Sequence, residues 1–187
     1  HQVLKTRPVW VLASSHAGEE ELALAAHSLL RERHPEALLV IAPRDPARGA
    51  VVQVLCGPDT PCRSQGDGLP SSAPCYVADT MGELGLWYRL CRVAMVGGSW
   101  APIGGHNPYE ATALDNTVIH GPQVANFRES YAELGSLGQA VQASNAQAIA
   151  KAVLEVWEGR SVSSSASENT RERSAAQIQQ LLRFLPG

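Results

Sequence analysis

Val9-Trp10-Val11-Leu12-Ala13, then Ser14-Ser15-His16-Ala17-Gly18, then residues 19–33 form the stretch from which the fold is read. The first five are an unbroken apolar run of strand length, opened by Pro8 and closed by two serines. A run without polar alternation is the signature of a strand buried on both faces. After Gly18, Leu22, Ala25, Ala26, Leu29 and Leu30 recur at helical spacing. Glu19, Glu20 and Glu21 fill the first turn, where the helix dipole favours acids, and Pro35 marks the stop. A buried strand feeding an amphipathic helix opens a parallel sheet, because parallel neighbours need a crossover between them.

The same alternation continues outward. Residues 38–42 and 75–78 read as buried strands, with a helix predicted over about 47–55 and a Gly/Pro/Ser-rich loop over 57–74 holding at most one short strand. Then follow a helix over 81–90, a strand over 93–96, a helix from Pro108 through Leu114 and a strand over 117–120. A helix over 127–137, a short strand near 140–142 and a helix over 145–157 complete the series. The expected fold class is α/β, a parallel sheet with helices on both faces. Residues 1–160 are expected to form this domain. Residues 161–187 are expected to be a Ser-rich linker and a helix with Ile178, Leu181, Leu182 and Leu185 as its apolar stripe.

Composition narrows the function classes. The 187 residues suit one domain of ordinary size, with 44% hydrophobic and 18% charged side chains. A net charge of −3 without a basic cluster argues against nucleic-acid binding. No apolar run approaches the roughly 20 residues of a membrane-spanning helix. Residues 1–7 lack the apolar core of a signal peptide and do not begin with Met. Cys56, Cys62, Cys75 and Cys91 form no Cys-x-x-Cys pair, so reduced, partly buried thiols are expected. No Asp-x-Asp pair offers a nest for a divalent metal.

In an open parallel sheet, ligands bind beyond the carboxyl ends of the strands. The loops there are well equipped: Ser14 to Glu20, Pro43-Arg44, Asp79-Thr80-Met81-Gly82-Glu83-Leu84, Gly97-Gly98-Ser99, and Gly104-Gly105-His106-Asn107-Pro108-Tyr109-Glu110. Neither the phosphate loop ending in Gly-Lys-Ser/Thr nor the dinucleotide G-x-G-x-x-G is present. Two glycines let a backbone approach a ligand, Asn107 suits an N-cap, and Pro108 suits a first helical turn. Such an N-terminus attracts an anion, and Glu110 one turn in can accept from sugar hydroxyls. A plain helix start accounts for Asn-Pro alone; the glycine pairs flanking Ser99 and His106 favour a ligand site. Thr80 and Glu83 match a capping box, and the N–H groups near Gly82 equally suit a ribose or phosphate. Arg44 reads equally as a phosphate or base contact and as a solvated loop arginine. His16 either orients a ligand or caps its loop, Arg63 and Ser64 are further anion candidates, and His27 and His34 read as surface residues. No nucleophile triad or carboxylate pair stands out, so the loops read as a binding half-site for an anionic nucleotide.

Taken in order, these segments resemble the 3-deoxy-D-manno-octulosonic acid (Kdo) transferases of bacterial lipopolysaccharide synthesis, over about residues 10–157. The specific part is the pair Met81-Gly82-Glu83-Leu84 and Gly104-Gly105-His106-Asn107-Pro108-Tyr109-Glu110, with Gly121-Pro122 and Asn126-Phe127 following. The resemblance implies the C-terminal, nucleotide-sugar-binding half of a GT-B glycosyltransferase, itself a Rossmann-like domain. It implies CMP-Kdo as donor and a lipid A precursor as acceptor, at the cytoplasmic face of the bacterial inner membrane. It also implies a catalytic base in the N-terminal half, so no catalytic residue is expected here, and no metal or cofactor. Carried over by position, Pro43 and Arg44 lie near cytidine, and Thr80, Met81, Gly82, Glu83 and Leu84 touch cytidine and ribose. Gly98, Ser99, Gly105, His106 and Asn107 receive the phosphate, with Glu110 nearby. Family members usually carry Thr at the position of Ser15, Glu at that of Ala17 and Pro at that of Ala111. With Ala at 17, that loop is given no proton-transfer role. Two other readings share the motifs: a GT-B transferase or epimerase acting on a uridine nucleotide sugar, and a non-catalytic α/β ligand-binding domain.

Overall fold

The computed structural model describes residues 7–160, so the linker and helix expected over 161–187 lie outside the described residues. Six strands form one parallel sheet: β1 (Val9–Ser15), β2 (Leu38–Pro43), β3 (Cys75–Val77), β4 (Val93–Val96), β5 (Thr117–His120) and β6 (Ala140–Gln142). Their order is β3-β2-β1-β4-β5-β6, so the chain starts at the centre, winds to one edge, then returns and winds to the other. Val11 is paired with Val40 on one side and Ala94 on the other.

Strand alternation splits the core into two layers. Trp10, Leu12, Leu39, Ile41, Val77, Met95 and Ile119 face α1 (Glu19–Arg33), α2 (Gly49–Cys56) and α6 (Ala146–Trp157). Val9, Val11, Leu38, Val40, Tyr76, Ala94 and Val118 face α3 (Leu84–Leu90), α4 (Tyr109–Thr112) and α5 (Arg128–Ser136). Fully burying an aliphatic side chain of this size contributes about 2 kcal/mol, which explains why β1 and β2 carry nothing polar before their ends. The α/β sandwich read from the sequence is the fold observed.

Some boundaries shift for local reasons. The helix predicted to begin at Met81 begins at Leu84, because Gly82 sits at φ 79°, a left-handed turn that no helix contains. The helix predicted through Leu114 is a single turn ending at Thr112, closed by Asp115 at φ 61°. Asn145 caps α6, its Oδ1 accepting from the Ala148 N–H at 2.9 Å. The loop over 57–74 contributes one bridge, Cys62 to Val77. Arg7 clamps it, donating to the carbonyls of Pro70 at 2.7 Å and Ala73 at 2.8 Å. All four cysteines are free thiols, and three are buried.

His27 was expected on the surface and is 3% exposed. The Trp10 indole N–H donates to its Nδ1 at 3.1 Å, so Nδ1 is the acceptor and Nε2–H donates to the Pro74 carbonyl at 2.9 Å. Burial pushes its pKa down to about 4, against the pull of the Pro74 carbonyl and with help from Arg31 and Arg7. His27 lies on the buried stripe of α1 with Ala23, Ala26 and Leu30, a position that helical period marks, whereas its two partners belong to other elements and show only in the structure. His34 is half-buried at the end of α1, edge-on to Trp157 with ring centroids 5.5 Å apart.

Candidate functional site

The strand order reverses direction between β1 and β4, the kind of switch point at whose strand carboxyl ends open α/β sheets form a ligand crevice. One carboxylate organises it. Glu19 is 1% exposed, and its Oε2 accepts from the N–H groups of His16 at 3.0 Å and Gly98 at 2.9 Å. Its Oε1 accepts from Ser99 and Trp100, each at 3.1 Å. The acid that the sequence assigns to the helix dipole therefore ties the β1 loop to the β4 loop. Close approach of the two loops needs Gly97: a Cβ there would run into the Ser14 carbonyl and the Glu19 carboxylate. Glu20 is buried beside it, accepting from the Ser15 hydroxyl at 2.9 Å and from Arg48 at 3.2 Å.

These bonds engage part of the expected phosphate site. The N–H groups of Gly98 and Ser99 are directed at Glu19, and the fully buried Ser99 hydroxyl donates to Val96 and accepts from the Gly121 N–H. Gly98 and Ser99 thus build the floor of the crevice instead of presenting donors to it. The second glycine loop differs. Gly105 N–H donates back to the Gly98 carbonyl at 2.7 Å, and the Tyr131 hydroxyl holds the His106 carbonyl at 2.9 Å. Asn107 is exposed, its Oδ1 accepting from the Tyr109 N–H at 3.0 Å, as an N-capping side chain does. Pro108 stands before α4 rather than inside it, and Glu110 is exposed on that turn.

His106 leans from this loop over Gly98 to His16, with the two Nε2 atoms 2.8 Å apart and the rings stacked at 21°. Burial lowers the His106 pKa, the charges of His16 and Arg44 lower it further, and Glu19 opposes them. His16, left open by the sequence, therefore belongs to the crevice, and Arg44 stands close enough to act on it.

Beside the crevice, Ser14, Ala42, Pro43, Arg44, Thr80, Met81, Gly82, Leu84 and Trp87 line a cavity of about 50 Å³. The structure thus brings Pro43 and Arg44 together with the Thr80–Leu84 turn, although they leave different strands. Met81 is 67% exposed at its mouth, a long apolar side chain with nothing to cover it. The capping box expected at Thr80 and Glu83 does not form, because the helix starts later. Glu83 instead receives two bonds from Arg63, at 2.8 and 3.0 Å, and one from the Thr80 hydroxyl. The Arg63 and Thr80 bonds hold its carboxyl down to about 2. Ser64 donates to Asp79 through its N–H at 2.9 Å and its hydroxyl at 2.7 Å. Arg63 and Ser64, read as anion contacts, are thereby spent on bracing the turn. Among the described residues no group of three His, Cys, Asp or Glu side chains is arranged to hold a metal, and no helix is long and apolar enough to cross a membrane.

Doubly wound order, with His16, His106 and Arg44 gathered where the strand order reverses, defines a Rossmann-like domain. Comparison with known proteins narrows this. No family model matches the chain. The 3-deoxy-D-manno-octulosonic acid transferase of Haemophilus influenzae is 37% identical over 151 residues, 79% of this chain and 35% of that protein. The crystal structure of the C-terminal CMP-Kdo binding domain of WaaA from Acinetobacter baumannii superposes with a TM-score of 0.79 at 33% identity, covering 96% of this chain and 91% of that one. A Listeria monocytogenes protein described as a UDP-N-acetylglucosamine 2-epimerase, with a TM-score of 0.55 at 12% identity, shares the fold alone. The chain belongs to the Kdo transferase family and corresponds to its C-terminal domain. It spans about a third of the length of the curated relatives it matches.

Proposed function

We propose that this domain binds the donor CMP-Kdo and, as part of a longer Kdo transferase, helps pass Kdo to a lipid A precursor at the cytoplasmic face of the inner membrane. The observation that carries this is the 33% identity, over 91% of its length, to the CMP-Kdo binding domain of WaaA. The local chemistry agrees. The cavity walled by Pro43, Leu84 and Trp87 offers apolar faces for a pyrimidine, with Thr80, Met81, Gly82 and Glu83 along the ribose. The crevice next to it gathers Arg44, His16 and His106 around the position of the phosphate, with Gly105 and Asn107 on the same loop. Glu110 lies one residue beyond Tyr109, in reach of sugar hydroxyls.

In the reaction the acceptor hydroxyl attacks the anomeric carbon of Kdo and CMP departs. Charge then builds on the leaving phosphate, and fixed positive groups stabilise it more in the transition state than in the ground state. Arg44 and the histidines supply that charge in place of a metal ion, while the base that deprotonates the acceptor comes from the N-terminal half. The test is titration of CMP into the 187-residue chain, followed by NMR, with UMP and AMP as controls. Selective CMP shifts at Met81, His106 and Asn107 are the expected result. Equal response to UMP, or shifts confined to other residues, would refute the assignment.

A further inference from the structure

The contact between His16 and His106 carries a consequence for how the crevice treats charge, one that deepens the proposed function and rests on it. At 2.8 Å, one Nε2 must donate and the other accept, so a single proton lies between the two rings. A pair with protons on both Nε2 atoms would place two donors and two positive charges face to face and break the contact. The pair therefore exists either neutral or as a monocation that shares its charge over both rings.

Every neighbour bears on which form is present. Arg44, at the end of β2, disfavours the cation, whereas Glu19, from the first turn of α1, favours it. The Glu19 influence is blunted, because its oxygens are already engaged by four backbone N–H groups. Tyr131, from α5, contributes a neutral hydroxyl to the His106 carbonyl. Gly98 supplies only backbone, and a Cβ on it would sit 3.0 Å from the His106 ring, so the β4 loop is shaped to admit the imidazole. Half-burial and the Arg44 charge hold the empty site towards the neutral form. An anion set among Arg44, His16 and His106 reverses that balance.

We infer that His16 and His106 act as one proton-sharing unit, which takes up a proton when the nucleotide's phosphate enters the crevice. Binding and proton uptake are then linked, each favouring the other by the same factor. Affinity for the phosphate falls as pH rises through the midpoint of the pair, by up to about tenfold per pH unit once the pair is neutral. The same unit returns its proton to solvent when CMP leaves, so product release is faster at higher pH.

The experiment is calorimetric titration of CMP into the 187-residue chain at pH 7.5, in buffers of different ionisation enthalpy. The second pKa of a phosphate monoester is about 6, so CMP is then already a dianion, and a proton drawn from the buffer on binding is gained by the protein's own groups. Uptake with CMP, no uptake with cytidine, and its loss in His106→Gln and His16→Gln are expected. CMP binding without uptake, or uptake unchanged in both variants, overturns the inference and leaves the proposed function standing. No CMP binding at all overturns both. If the variants fail to fold, the imidazole Cε1–H resonances of the unaltered chain give the answer. The His106 ring is expected to show a midpoint that rises when CMP is added, and a midpoint that CMP does not move overturns the pair.

Discussion

Two glycine loops meet beyond the carboxyl end of β4, and they differ in what their backbones do. In Gly97-Gly98-Ser99 the N–H groups of Gly98 and Ser99 are taken by Glu19, and the Ser99 hydroxyl stitches β4 to Gly121. In Gly104-Gly105-His106-Asn107 one N–H returns to the first loop, the His106 ring reaches His16, and the Asn107 side chain is exposed, accepting from the Tyr109 N–H. Near-identical sequence signals thus serve rigid scaffold in one case and, under the proposed function, ligand reception in the other. A buried carboxylate from a third segment makes the difference.

The largest effect should come from breaking the scaffold loop. Glu19→Ala strands four N–H donors in a buried site, and leaving such groups unpaired costs about 1–3 kcal/mol each before the site relaxes. A net loss of about 3–5 kcal/mol is expected, read as a lowered urea midpoint, with Glu19→Gln losing less. A loss below about 1 kcal/mol would mean that Glu19 does not hold the loops together.

Acid provides a control from outside both loops. The folded-state pKa of His27, about 4, lies below its unfolded value near 6.5, so the folded chain binds fewer protons between them. Stability should therefore be complete above about pH 6.5 and fall by about 3 kcal/mol as pH drops towards 4. Replacing His27 with Gln should flatten that slope in a series of denaturation curves, whereas His106→Gln should leave most of it. The smallest effect on stability belongs to the receptive loop. Asn107→Ala removes one exposed capping bond, worth about 1 kcal/mol or less. CMP affinity should nonetheless fall at least about tenfold, the equivalent of a single charge-assisted contact. A variant that binds CMP as tightly as before would remove Asn107 from the phosphate site.

Much of this was legible in the residues. The apolar runs around Val11, Val40 and Ala94 announced doubly buried parallel strands, and α1 followed from the spacing of its alanines and leucines. The loops at the carboxyl ends read as the place for a ligand, and the geometry brings Pro43 and Arg44 together with Thr80, Met81, Gly82 and Leu84 around one cavity. Other features were hidden because their causes are distant in the chain. Glu19 meets three of its four partners 79 to 81 residues away, and His27 meets the Pro74 carbonyl 47 residues away. The start of α3 was misjudged because Thr80 and Glu83 have capping spacing, while Arg63, from a loop with no periodicity, draws Glu83 elsewhere. Met81 and Asn107 could be named from motif, yet which backbone donors remain for a ligand could not.

By itself the sequence determined the layers, the strand polarity and the edge of the sheet where ligand chemistry must lie, since burial and periodicity are local properties of a chain. Only the tertiary structure decided which polar groups are spent internally and which face the crevice. Hydrogen bonds and charges act over a few ångströms of space regardless of separation in sequence, so the joining of His16 to His106, and of Glu19 to the β4 loop, exists only once the sheet has brought the two strand ends together.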